Sequence, residues 1–179
     1  MFHSSEALAK KTPAGSLTRP AFLQSLVDEY QAKDTSPERR TKILASLGNF
    51  AYDPINYAWL RELNIVDLFL DCLPTENIAN RRHAIAGLCN LSLDPKNRDL
   101  IRKDTKPDNV ALILTHCLVS TDVDTVQSAM TCLSNLTTTR NKDDIQARYP
   151  QIRPLMETLS TAKNPVTSNL AKVYLLENP

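Results

Sequence analysis

The chain repeats itself, and that constrains its fold more than any other feature. Leu47-Gly48-Asn49-Phe50-Ala51-Tyr52-Asp53-Pro54-Ile55-Asn56 aligns without a gap on Leu88-Cys89-Asn90-Leu91-Ser92-Leu93-Asp94-Pro95-Lys96-Asn97, with five of ten residues identical. The offset is 41, and Ala45 meets Ala86 at the same offset. A shift of 45 brings Leu88, Asn90 and Leu91 onto Leu133, Asn135 and Leu136, and Cys72-Leu73 onto Cys117-Leu118. Cys72 to Asn90 and Cys117 to Asn135 are both 18 residues, so the four extra residues fall around Lys103 to Asp108. An insertion confined to one segment is what a loop between helices tolerates. A fainter last copy aligns Ala171 with Ala84 and Ala129, and Leu175 with Leu133; Glu177 stands at the Asn position. A self-similar period of this length is the mark of a stack of helical units.

The rest of the sequence agrees with helices. Leu occurs 25 times against 17 for Ile plus Val, and Gly only 3 times in 179 residues. Three glycines cannot serve the turns of a many-stranded sheet, nor a Gly-rich phosphate loop. Within each copy, Asp53-Pro54 and Asp94-Pro95 read as an N-cap followed by proline at the first helical position. They open short helices near 54–63 and 95–103. Ile65 to Leu73 and Val110 to Leu118 read as buried second helices. A longer third helix follows, capped at Ser36-Pro37 and Asn164-Pro165, with Thr121 and Asp124 resembling a capping box. Residues 1–19 are expected to be a flexible tail, and 20–179 the repeat domain.

Ala45-Ser46-Leu47-Gly48-Asn49-Phe50, Ala86-Gly87-Leu88-Cys89-Asn90-Leu91 and Thr131-Cys132-Leu133-Ser134-Asn135-Leu136 resemble the third-helix motif of the armadillo-repeat family. The resemblance implies an all-α, right-handed solenoid of about four repeats. More narrowly, Leu47 to Pro54 with Asn56-Tyr57, and Leu68-Phe69-Leu70-Asp71, look like a branch of that family found in the minor (U12-type) spliceosome. That branch implies a nuclear, non-catalytic scaffold for an RNA-binding partner carrying an RRM domain. Periodicity by itself yields the solenoid alone. A peptide-binding adaptor in transport or signalling is the alternative.

In the family, third helices line a concave groove whose asparagines bond an extended ligand. Asn49, Asn90 and Asn135 hold that position here; they either line the groove or bridge neighbouring helices. Where nuclear-import relatives carry Trp four residues earlier, this chain has Ala45, Ala86 and Thr131. Basic peptides would find no indole to lie on, and the wider groove suits a helix or loop of a folded partner. Thr41, Arg82 and Gln127 sit two turns before the asparagines, with Lys42 and His83 beside the first two. The expected partner-binding set is Asn49, Asn90, Asn135, Arg82, Lys42, Gln127 and Tyr52. Tyr52 either lines the ridge or packs inside, and Trp59 is either core filler or an interface anchor.

Net charge is +1, from 21 Lys plus Arg against 20 Asp plus Glu, so no global field draws the chain to nucleic acid. Arg39-Arg40, Arg81-Arg82, Arg98, Arg102, Lys103 and Lys106 read as solvated face or as contacts to a phosphate backbone offered by a partner. His3, His83 and His116 have no metal-ligand spacing with the cysteines, and no nucleophile or P-loop motif appears. The expectation is therefore no enzyme, no cofactor or metal, no small-molecule substrate and no membrane span. Cys72, Cys89, Cys117 and Cys132 are expected as buried, unpaired thiols.

Overall fold

In the computed structural model of the protein, residues 17–103 and 108–179 are described. The tail expected over 1–19 lies outside them up to residue 16. Thr18 already caps the first helix, α1 (Arg19–Gln31), whose Ala21 N–H it accepts. There follow α2 (Pro37–Phe50), a 3-10 turn (Pro54–Asn56) leading into α3 (Tyr57–Glu62), α4 (Ile65–Asp71) and α5 (Ile78–Leu91). Next come α6 (Pro95–Ile101), α7 (Asn109–Leu112) with a π-turn over Ile113–Cys117, and α8 (Val123–Leu136). The chain finishes with α9 (Lys142–Arg148), α10 (Ile152–Leu159) and α11 (Pro165–Glu177). No strand occurs among the described residues. No described helix is long and apolar enough to cross a membrane.

The third helices of successive repeats are α2, α5, α8 and α11. They pack side by side in that order, each against the next. Their N-caps keep register: Ser36, Asn77, Asp122 and Asn164 each stand thirteen residues before Asn49, Asn90, Asn135 and Glu177. Each side chain accepts an N–H of the first turn, relieving one of its unpaired donors. The third cap is Asp122 and not Thr121. Its carboxylate takes both the Thr125 N–H at 3.0 Å and the Thr125 hydroxyl at 2.6 Å, two bonds a threonine hydroxyl cannot match.

The core runs continuously through the repeats. Leu47, Leu88 and Leu133 occupy the same register and are buried, as are Ile43, Ala84 and Ala129 four residues earlier. Phe69 of α4, Ile113 of the π-turn and Met156 of α10 fill the space beneath the third helices. Trp59 is half-buried against this core. The four-residue insertion falls between α6 and α7; residues 104–107, including Lys106, lie outside those described. Beyond them Asp108 caps α7 and receives the Tyr149 hydroxyl at 2.7 and 2.8 Å and Arg148 at 2.8 Å.

Cys72, Cys117 and Cys132 are buried, and all four cysteines are free; Cys89 is only half-buried, a departure from the expectation. It immediately precedes Asn90, at the margin of the inner face. Burial raises all four thiols, Cys89 to about 11 and Cys117 to about 12. At neutral pH they stay protonated, and the thiolate is the nucleophile. Thiol-reagent labelling in native buffer should therefore be slow and led by Cys89, with all four accelerating in denaturant. Rapid native labelling of Cys117 or Cys132 would contradict this packing.

Two glycines mark where helices approach most closely. A Cβ on Gly87 would stand 2.5 Å from Phe69 Cζ, 2.8 Å from Cδ2 and nearer still to Cε2, against a ring with no exposed surface. A Cβ on Gly48 would meet the His83 carbonyl oxygen at 3.4 Å and Gly87 Cα at 3.9 Å, ordinary contact distances. Alanine is favoured over glycine in a helix by about 1 kcal/mol. Gly48→Ala should thus leave the chain as stable or slightly more stable. Gly87→Ala should lose about 1–3 kcal/mol through overpacking. Chemical denaturation of both variants checks the pair; equal effects would refute the close approach.

Candidate partner-binding groove

The inner face is the row of third-helix residues around Asn49, Asn90 and Asn135. Asn49, on the first third helix, is exposed. Asn90 and Asn135 are half-buried and reach back to the preceding repeat. Asn90 Nδ2 donates to the Gly48 carbonyl at 3.2 Å, and Asn135 Nδ2 donates to Ser92 Oγ at 2.9 Å. One amide hydrogen of each residue therefore serves the stack. An amide also carries an acceptor oxygen, and no intramolecular hydrogen bond is recorded for Oδ1 of either residue.

Eight residues before each asparagine, a second set of contacts runs forward. Thr41 Oγ1 donates to Asn80 Oδ1 at 2.6 Å. Arg82 grips Asp122 with two bonds, Nε to Oδ2 at 2.9 Å and Nη2 to Oδ1. Gln127 Nε2 donates to Asn164 Oδ1 at 3.2 Å and to Thr167 Oγ1 at 3.1 Å. Each joins one third helix to the first turn of the next. Arg82 and Gln127, expected to meet a partner, are thus already engaged within the fold. Lys42 is exposed beside this row, and Tyr52 is 60 % exposed beyond the end of α2. His83 is half-buried at the register of Lys42; burial and then Arg82 lower its pKa, so it is neutral at pH 7.

Similar ties that the sequence did not reveal fasten the outer edge. Tyr57 is buried and its hydroxyl donates to the Asn90 carbonyl at 3.1 Å. Arg61 reaches Asp94 at 2.5 Å and Asn97 at 2.7 Å. Arg102, 41 residues on from Arg61, donates to the Leu136 carbonyl at 3.3 Å. Arg81 closes the end of α4 by donating to the Leu73 and Thr75 carbonyls. Arg39 pairs with Glu29, and Arg40 donates to the Ala32 carbonyl. These arginines serve the fold before any phosphate.

The architecture is that of an armadillo-type solenoid. It superposes on a computationally designed armadillo repeat protein for modular peptide recognition with a TM-score of 0.74 at 16% identity, covering 88% of this chain and 64% of that one. It superposes on an engineered protein with a TM-score of 0.72 at 18% identity, covering 87% and 61%. In sequence it is similar to mouse Armadillo repeat-containing protein 7, with 49% identity over 71 residues. That match takes in 40% of this chain and 35% of the mouse protein, about a third of the relative's length. No protein-family model matches the chain.

The Arg82–Asp122 pair gives a pH prediction. The Arg82 hydrogen bonds hold the Asp122 carboxyl down at about 2, against 3.8 for a free aspartate. A depressed carboxylate contributes stability above its unfolded pKa and loses it as pH falls through the folded value. The contribution should be complete at pH 5 and disappear between pH 4 and 2. A double-mutant cycle of Arg82→Ala with Asp122→Ala should show measurable stabilising coupling at pH 7 that falls away towards pH 2, modest because the arginine is exposed. Coupling that is nil at pH 7, or unchanged at pH 2, would refute the pairing.

Proposed function

We propose that this chain is a non-catalytic scaffold of the minor (U12-type) spliceosome in the nucleus, where its groove binds an RNA-binding protein carrying an RRM domain. The repeat architecture supports a protein-interaction scaffold. The spliceosomal assignment rests on the sequence resemblance at Leu47 to Pro54, Asn56-Tyr57 and Leu68 to Asp71. The observation that carries the groove is the row formed by exposed Asn49 and the half-buried Asn90 and Asn135, with Lys42 beside it. In this reading Asn49 offers the partner's main chain both a donor and an acceptor. Asn90 and Asn135 offer their carbonyl oxygens, and Arg82 and Gln127 hold the spacing of the row. Tyr52 lies at its rim. Any RNA contact is carried by the partner or by the phosphate backbone.

The small residues Ala45, Ala86 and Thr131 leave room for a helix or loop. A competing site on the outer edge, at Tyr57, Trp59 and Arg61, is less suited to capture. Tyr57 is buried, Trp59 packs on the core, and Arg61 is bound to Asp94 and Asn97.

Two measurements test this. Affinity purification of the tagged chain from nuclear extract should recover an RRM protein that stays after RNase digestion; loss of every partner on digestion would overturn the scaffold reading. With the partner in hand, the triple variant Asn49→Ala, Asn90→Ala, Asn135→Ala should bind at least about tenfold more weakly, or 1.4 kcal/mol. Asn90→Ala and Asn135→Ala each also remove an inter-repeat bond, costing about 1 kcal/mol of stability. Exposed Asn49 should be replaced by alanine at little cost in stability. Leu88→Ala, at a fully buried site, should cost about 2–5 kcal/mol, more than either. Asn49→Ala is the cleanest single probe. Wild-type affinity in the triple variant, with loss on changing Trp59 and Arg61, would move the partner to the outer edge.

A further inference from the structure

Ser36 stands apart from the groove, in the link between α1 and α2. Its backbone is extended (φ −64°, ψ 152°), and its side chain is exposed. Of the 11 prolines in the chain, two follow a serine or threonine: Pro13 after Thr12, and Pro37 after Ser36. After Ser36 the sequence runs Pro37-Glu38-Arg39, with a cation three residues on; after Thr12 that place is Gly15. Proline directly after the acceptor and a basic residue at the third position are what proline-directed serine/threonine kinases select.

We propose that Ser36 is a phosphoacceptor for a proline-directed protein kinase, and that the phosphoryl group draws Arg39 away from Glu29. The inference is independent of the groove. In the reaction Ser36 Oγ attacks the γ-phosphorus of a nucleoside triphosphate held by the kinase. The new O–P bond forms as the β–γ bridging bond breaks. The nucleoside diphosphate leaves with the electron pair, and the serine proton passes to the kinase's base. Only the first turn of α2 has to open, which releases Arg39 N–H from Ser36 Oγ (3.2 Å) and Arg40 N–H from the Ser36 carbonyl (3.0 Å).

The surroundings then favour the dianion. It sits at the N-terminus of a 14-residue helix, beside first-turn N–H groups with no helical partner. Arg39 now forms a bidentate pair with Glu29, Nε and Nη2 each 2.6 Å from a carboxylate oxygen, both side chains near half exposure. The pair is solvent-exposed, and a doubly charged phosphate is a stronger acceptor for Arg39 than a singly charged carboxylate. Arg40, whose Nε is buried without a partner, and Lys33 add positive charge; Glu29, Asp34 and Glu38 oppose it. Re-pairing would free Glu29's carboxylate while its main chain keeps the Thr35 hydroxyl at 2.5 Å.

The test is incubation of the full chain with a cyclin-dependent kinase and magnesium ATP, read by intact mass and fragment mapping. Phosphate should appear on Ser36 ahead of Thr12. Arg39→Gln should slow uptake about tenfold, the loss of one charge-assisted hydrogen bond. Ser36→Ala, checked as folded by circular dichroism, should take none at that position. Phosphate on Thr12 or elsewhere with Ser36 unmodified would overturn the site. For the re-pairing, the Arg39 Nε–H resonance of the phosphoprotein should follow the second ionisation of phosphoserine, near pH ~6, and stay flat there in the unmodified chain. A flat resonance in both would overturn the re-pairing.

Discussion

Where α2 crosses α5, Gly48 faces Gly87, and the stack depends on the close seat that Gly87 gives the buried Phe69 ring. Gly48 lets the His83 carbonyl come near, and Gly87 lets the Phe69 ring lie directly beneath α5. Side chains as short as Thr41 and Asn90 can then reach across to the neighbouring helix. The apolar core holds the helices together, while the absence of a β-carbon at Gly87 sets how closely α5 lies on the Phe69 ring.

On that spacing rest two rows of polar contacts in opposite senses. Eight residues before the asparagine, Thr41, Arg82 and Gln127 reach forward to the start of the next third helix. At the asparagine itself, Asn90 and Asn135 reach back. The inner surface is thus built from side chains that already fasten repeats to one another. A partner in the proposed groove would meet a pre-organised surface, which lowers the ordering cost of binding.

Much of this architecture was legible in the sequence. A repeat offset of 41 and 45 residues placed Leu47, Leu88 and Leu133 in one core register, and proline after Ser, Asp or Asn marked four helix starts. Those signals are local, or repeat with the period. The forward contacts were not legible, because threonine, arginine and glutamine share no chemistry that a pattern search could group. Their partners lie 37 to 40 residues away in sequence. Asn90 carried both the ladder and the bridge reading, since one amide can donate inward and accept outward. Thr121 was misread as the cap, because Asp122, one residue on, takes both the Thr125 N–H and the Thr125 hydroxyl. Cys89 looked buried by composition, yet its place beside Asn90 leaves it at the edge of the inner face.

The claim that the asparagine row fastens the stack is tested most directly by the side-chain amide signals of Asn49, Asn90 and Asn135 in nuclear magnetic resonance. Hydrogen exchange and temperature coefficients of the three NH2 groups can be read in one sample of the full chain. The account predicts protected, weakly temperature-dependent signals for Asn90 and Asn135, and a freely exchanging signal for Asn49. Three signals that all exchange as an exposed amide does would contradict it.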